Sequence, residues 1–441
     1  MEKIGKSLGA KIWISAILFG FVGQIAWVVE NMYFATLAQD IFANSGRSDL
    51  SYVVTTLMVI FSALFATATT IIAGGLSDRV GKRKPFVAYG YIVWGLTIMI
   101  FAFLPMKASA KTIGLVAFLL VAFDCLMTVA GSTANDAAFN GWVADVTDPS
   151  NRGKVNAVLA VLPVFATIVI FIGLGSLYSA DKESNWLFFV VLGAIPTVTG
   201  VIALFLMKDS PDLKKSSNPD FWKDIFYGFR PEAIKNNKMM YVCLTSLCVL
   251  GIAQQTFFSY LINYVQNTLG VKDFFVPLAV IVVGSAVITG VCGAFYDKVG
   301  RKHFYFPLLV LVMVGTLLMY LVKFIDGNIL VVLYVFATLM MGGILSLSGA
   351  LTSTFQDYIP EGYEGRYQGV RMCFVVLIPM IIGPIVSMCI GLNAMGEGGT
   401  DFAPPYEIFL AATIIAFVAA IPLFFVRKDA DSLQKRLQRG E

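Results

Sequence analysis

Charge is what this sequence has least of. Asp, Glu, Lys and Arg make up 14% of its 441 residues, where a soluble domain carries about a quarter, so an ordinary water-exposed surface is excluded. Histidine occurs once, at His303, beside Arg301 and Lys302. A single peripheral imidazole supplies neither a metal cluster nor a partner for a catalytic nucleophile. The six cysteines, Cys125, Cys243, Cys248, Cys292, Cys373 and Cys389, all lie in apolar runs without metal-ligand spacing, and read as buried free thiols. No Walker-type glycine loop occurs, which removes a nucleotide-driven pump. The expectation is a protein that is not an enzyme, with no catalytic residue, resident metal or cofactor.

Apolar residues are abundant: 58% of the chain, with 36 Phe and a mean hydropathy of +0.78. Runs of about 20 apolar residues, enough to cross a hydrocarbon core as helix, fall at 11–38, 50–76, 85–105, 112–141, 155–178 and 185–207. Six more follow at 238–265, 273–296, 303–323, 328–357, 368–392 and 404–426. This predicts an all-α integral membrane protein with twelve transmembrane helices. Lys3, Lys6 and Lys11 precede the first run, which is too long for a signal peptide and lacks a small-residue cleavage pattern. It reads as the first helix. With both termini cytoplasmic, only Arg47, Lys107, Lys111, Lys182, Lys272 and Lys323 of the 32 Lys and Arg residues face outward, leaving 26 inside, as the positive-inside rule requires. The net charge of +4 therefore reports topology and gives no reason to expect nucleic acid.

The longest polar interval, 208–237, divides the chain into an N-terminal six-helix bundle (1–207), a cytoplasmic linker and a C-terminal bundle (238–427), with a cytoplasmic tail at 428–441. The halves echo one another. Gly74-Gly-Leu-Ser-Asp78-Arg-Val-Gly81-Lys-Arg answers to Gly293-Ala-Phe-Tyr-Asp297-Lys-Val-Gly300-Arg-Lys, each between the second and third helices of its half. VADVTDPSNRG, ending at Gly153, answers to FQDYIPEGYEGR, ending at Arg366, each after a fourth helix. A parallel repeat of two pseudo-symmetric bundles is an arrangement of major facilitator transporters.

The loop Gly74–Lys84 resembles the signature loop of that superfamily, and the helix count, halves and echoes extend the resemblance over the whole chain. GKRKPF after the loop, and FVGQIAWVVENMYFATL in the first helix, are similar to sucrose-type sugar symporters, which in turn resemble melibiose-type cation symporters. One departure is Asn140, which stands roughly where sucrose carriers have an arginine. The resemblance implies alternating access by rocking around a site near the bilayer midplane, between the halves. It also implies a cytoplasmic gate built from Gly75, Asp78, Arg79, Gly81, Arg83 and Arg152, with Asp297, Gly300, Arg301 and Arg366 in the second half. In that gate Asp78 accepts hydrogen bonds at the start of helix 11. A purely topogenic loop explains the basic residues, but not the aspartate or the glycines. Pro85 is expected to open the third helix.

Acids at bilayer depth are costly and by default functional. Glu30 in the first helix, and Asp124 and Asp136 in the fourth, are the candidates for cation coupling, by H+ or Na+. Gly20, Gly23, Gln24, Trp27, Glu30, Asn31 and Phe34 share one helical stripe, as a lined cavity requires; a structural acid bonded to a neighbouring helix is the plainer use of Glu30. Asp124 and Asp136 are twelve residues apart, roughly 18 Å along an ideal helix and a third of a turn around it. Amides and aromatic rings suit a neutral polyhydroxylated solute. Gln24, Trp27, Asn31, Asn135 and Asn140, with Gln254, Gln255, Tyr260 and Asn263 of the seventh helix, form the expected binding set. Helix–helix hydrogen bonding is the plainer use of those amides. Pro163, Gly173 and Gly175, and Pro379, Gly383 and Pro384, mark kinks or close contacts.

These features predict a secondary transporter, importing a sugar or glycoside with a proton or sodium ion, and acting as a monomer on a small-molecule solute within a lipid bilayer. A bacterial inner membrane fits best. A proton-coupled multidrug or metabolite exporter of the same fold is the rival, disfavoured because LPVFATIVIFIGLGSLY in helix 5 lacks the Gly-Pro-x-x-Gly-Gly pattern of such exporters.

Overall fold

A computed structural model describes residues 8–147, 152–211, 213, 226–271, 273–325, 327–359, 364–395 and 402–439. The side chains of 152–154, 156, 157, 160, 296–299, 364–366, 368 and 430–439 lie outside that description. The chain forms two compact units, Met1–Pro219 and Asp220–Glu441, and the division falls inside the polar interval.

The first unit holds α1 (Ala10–Asn44), α2 (Ser48–Val80), α3 (Lys84–Phe103), α4 (Ile113–Val146), α5 (Val161–Leu177) and α6 (Trp186–Leu206). The second holds α7 (Lys238–Phe258), α8 (Phe275–Phe295), α9 (Arg301–Phe324), α10 (Ile329–Tyr358), α11 (Gly369–Met395) and α12 (Glu407–Asp429). Among the described residues, eleven of these are long and apolar enough to cross a membrane, and α5 is shorter. Large apolar side chains on their outer faces, such as Phe205 at 82% exposure and Phe118 at 67%, meet a surrounding as apolar as themselves.

Several boundaries differ from the sequence reading. α1 continues to Asn44 because its polar outer turn is satisfied by neighbours. Ser51 donates to the Gln39 carbonyl at 2.9 Å, and Tyr178 donates to Asp40 at 2.8 Å. The segment expected as a tail continues the last helix to Arg439, and Asp429 accepts a bond from Tyr358 at 2.9 Å. The seventh helix, expected unbroken to 265, breaks after Phe258 and resumes as Leu261–Asn263 and a π turn at Tyr264–Thr268. No glycine or proline marks that break. It coincides with ring packing of Tyr260 on Phe402 and of Tyr264 on Tyr406 and Phe409. Two more π turns, Val29–Phe34 in α1 and Ser132–Phe139 in α4, carry residues of the expected site. Such turns are frequent where function requires a side chain to be re-aimed.

Gly81 ends α2 with φ +68°, and Pro85 stands in the first turn of α3. The crossing of α3 on α6 rests on small residues. A Cβ at Gly200 would lie 2.6 Å from the Ala88 carbonyl oxygen and 2.7 Å from the Ile92 nitrogen. A Cβ at Gly173, expected to mark a kink or a close contact, meets nothing within 4 Å. Gly200→Val should therefore destabilise the protein by about 1–3 kcal/mol or more through overpacking. Gly173→Ala should melt with the wild type in detergent. Equal melting of the two variants would contradict this packing.

Candidate functional site

Glu30 is held by hydroxyls from two other helices. The π turn of α1 carries its carboxylate to α2 and α4, where Ser62 Oγ donates to Oε1 at 2.5 Å and Thr128 Oγ1 lies 2.8 Å from the same oxygen. Thr128 Oγ1 is also 2.9 Å from the Asp124 carbonyl oxygen and 3.0 Å from Ser62 Oγ. Each hydroxyl has one hydrogen. Two hydrogens cannot serve Oε1, the Asp124 carbonyl and the other hydroxyl together, so the cluster holds more acceptors than its hydroxyls can satisfy. Glu30 and Asp124 are 8% and 3% exposed, and Glu30 Oε2 and Asp124 Oδ1 are buried without a hydrogen-bond partner. Ionised carboxylates so placed are costly to leave uncompensated.

A second feature lies toward the other end of α1. A cavity of about 150 Å³ is lined by Gln24, Trp27, Asn135, Asp136 and Asn140, with Gly20, Phe139, Leu159 and Leu162. Trp27 donates to Asn135 Oδ1 at 3.3 Å, and Asn135 donates to Tyr91 at 2.8 Å, fixing the amide orientation. Tyr91 in turn donates to the Phe19 carbonyl at 2.6 Å. A Cβ on Gly23 would overlap the Asn135 amide, so this glycine admits the network.

α4 joins the two features. Asp124, Thr128, Ser132, Asp136 and Asn140 recur every fourth residue. Thr128 touches Glu30, while Ser132 donates to Asp136 Oδ2 at 3.1 Å and Asn140 donates to the Asp136 carbonyl at 3.2 Å. In an ideal helix each four-residue step drifts about 40°. The wider π turn over Ser132–Phe139 offsets that drift, drawing Asp136 nearer the Asp124 face than the ideal third of a turn.

Asn31 departs from the expected set: its amide donates to the Trp27 carbonyl at 2.7 Å, and it does not line the cavity. In the second unit Gln254 and Gln255 are half-buried. Tyr260 and Asn263 are fully buried, because the helix break turns both inward and ends the straight Gln255–Ser259–Asn263 stripe.

Residues of the expected gate take part in ion pairs in each unit. In the first, Arg83 pairs with Asp78 and, at 2.9 Å, with Asp145 at the end of α4. Burial disfavours the Arg83 charge, but Asp145 and Asp78 outweigh it and hold its pKa above the ordinary arginine value. Asp209 accepts from the backbone nitrogens of Arg83 and Lys84, both at 2.8 Å, capping α3. Gly75 is buried and Arg79 exposed. In the second unit Arg301 pairs with Asp357, at the end of α10, at 2.5 Å, beside Gly300 with φ +91°. The side chains of Arg152, Asp297 and Arg366 lie outside the described residues. Sequence reasoning treated the two echoes separately, and in each unit an arginine of one pairs with an aspartate of the other. Ser62 and Tyr91 were also missed, since neither differs in sequence from ordinary helix residues. Among the described residues no group of three His, Cys, Asp or Glu is placed to hold a metal.

Apolar helix bundles enclosing acids and a polar cavity define a multi-pass membrane protein. The family model described as Major Facilitator Superfamily matches residues 12–384, and the chain belongs to that superfamily. Among solved structures, a D-xylose-proton symporter superposes with a TM-score of 0.70 at 12% identity, covering 93% of this chain and 97% of that one. The nucleoside transporter NupG gives 0.66 at 14%, covering 94% and 98%. A bacterial homolog of the human lysosomal transporter Spinster gives 0.68 at 13%, covering 97% and 99%. No curated protein matches significantly. These likenesses establish the major facilitator fold, and family and fold together point to a transporter rather than an enzyme.

Thr128→Val leaves Glu30 Oε1 with one hydroxyl fewer and should cost about 1–3 kcal/mol. Adding Glu30→Leu should recover part of that loss, because the stranded acid is gone. Unfolding in detergent measures both, and wild-type melting of Thr128→Val would contradict the arrangement.

Proposed function

We propose that the chain is a secondary active symporter of the sucrose-type and melibiose-type branch, importing a small neutral polar solute, a sugar or glycoside, with a coupled proton. Glu30 holds the proton, with Asp124 as its neighbour in the site. The observation that carries this reading is the polar ladder of α4, which runs from the Glu30 hydroxyl cluster to Asp136 in the cavity wall. A change of charge at one end alters the hydrogen bonding available at the other, as coupling between cation and solute requires.

The cavity chemistry supports the solute class. Trp27 offers a ring face for the apolar side of a sugar, while Gln24, Asn135 and Asn140 offer donors and acceptors for hydroxyls. Gln254 and Gln255 are further candidates in the second unit. The fold is shared with a D-xylose-proton symporter and a nucleoside transporter, both named for ribose- or pentose-bearing solutes. The excess of Lys and Arg on one side of the predicted topology favours cytoplasmic termini, and a bacterial inner membrane is the proposed location.

Thermal stabilisation of the detergent-purified protein against sugars, glycosides, nucleosides and cationic drugs tests this reading, since a ligand that binds only the folded state raises stability with the logarithm of its concentration over Kd. A sugar or glycoside should stabilise the wild type, more strongly at acidic than at alkaline pH. Glu30→Gln should lose the pH dependence. Stabilisation by cationic drugs alone would favour the exporter reading, and dependence on sodium instead of pH would replace the proton.

A further inference from the structure

Among the described residues, the segment just before α7 presents an exposed face of apolar and basic side chains. Phe226, Phe229 and Ile234 are 57%, 43% and 42% exposed, and Arg230, Lys235 and Lys238 are exposed beside them. Glu232 is the one acid from 226 to 238, so this short strap carries a net charge of +2. It comprises a turn at Tyr227–Phe229 and a short helix, Pro231–Asn236.

The strap is fixed in place. Tyr241, in the first turn of α7, donates to the Gly228 carbonyl, folding the strap back beside the start of that helix. Asn237 donates to the Tyr367 hydroxyl at 2.7 Å, and the Tyr227 and Tyr367 rings meet edge-on at 5.8 Å. A Cβ at Gly228 would lie 2.5 Å from Val370, so the backbone sits directly on the inner end of α11. Pinned to Tyr241, the strap is held at the level of the first turn of a membrane-crossing helix, where the hydrocarbon meets the headgroups.

We propose that this strap is a docking surface for anionic phospholipids of the cytoplasmic leaflet. Its two phenylalanines and isoleucine enter the headgroup–acyl boundary, and Arg230, Lys235 and Lys238 meet lipid phosphates. Aromatic and aliphatic side chains paired with cations at that depth are what an anionic interface binds. Because the strap is bonded to both α7 and Tyr367, lipid binding here fixes the inner ends of α7 and α11 relative to one another within the second unit. This inference is independent of the solute and of the coupling cation.

The test uses the full chain in nanodiscs of phosphatidylcholine, alone or with 30% phosphatidylglycerol (about 30%, chosen to give a clearly negative surface). Phosphatidylglycerol should raise the unfolding midpoint of the wild type, and the triple variant Arg230→Gln, Lys235→Gln, Lys238→Gln should lose most of that rise. Lys107→Gln with Lys111→Gln, remote in sequence and on the opposite predicted side, should keep it. Phe229→Trp adds an indole whose emission, taken as the difference from wild type, should be quenched by lipids brominated high on the acyl chain. Adding Tyr241→Phe, which removes the pin and leaves the charges, should weaken that quenching. Inorganic phosphate added to the phosphatidylcholine discs should not reproduce the stabilisation. Full retention of the phosphatidylglycerol effect by the triple variant, an unquenched indole, or an equal effect of free phosphate would each overturn the proposal.

Discussion

A carboxylic acid enclosed by apolar helices must be neutralised or hydrogen-bonded, and Glu30 is bonded on one oxygen only. That constraint organises the first unit. Ser62 of α2 and Thr128 of α4 converge on Oε1, and they tie three helices together around one carboxyl group. The second oxygen stays without a partner, and so does one oxygen of Asp124, four residues before Thr128. A fully satisfied carboxylate would be a structural tie. An under-satisfied one, close to another acid, is the arrangement on which the proposed coupling role rests.

The ladder on α4 gives that change a route. Its rungs stand four residues apart, and the π turn keeps the later ones near the face of the earlier ones. Asp136 thereby contributes to the cavity wall while remaining tied, through Ser132, to the helix segment that contacts Glu30. The two units are unequal in this respect. Among the described residues the second has no acid deep in a span, its helix equivalent to α1 is broken beside packed aromatic rings, and Asn263 is fully buried there.

How much of this was legible in the sequence depended on the kind of information needed. Hydropathy fixed the helices because a bilayer imposes a length, and the glycine at 81 and proline at 85 punctuated α2 and α3 as turn chemistry requires. Glu30, Asp124 and Asp136 stood out because acids are scarce in such spans. Gln24, Trp27, Asn135 and Asn140 were picked out by helical spacing, and all four line the cavity of the first unit. Asn31 lies off the cavity wall because α1 makes a π turn where the spacing assumed an ideal helix, and Tyr260 and Asn263 are buried beside a break in α7 that nothing local announces. Ser62, Tyr91 and Asp209 were invisible, since their roles arise from contacts with residues far away in sequence. The Arg83–Asp145 and Arg301–Asp357 pairs were half legible: both repeats were seen, but not that each half joins them.

The central claim is that Glu30 carries the proton that couples to the solute. The most direct measurement is the proton count on solute binding, followed with a pH indicator in weakly buffered detergent solution. Wild type should take up protons as the solute binds, more per solute at alkaline than at acidic pH, and Glu30→Gln should bind the solute while taking up none. Equal proton uptake by Glu30→Gln and wild type would contradict the account.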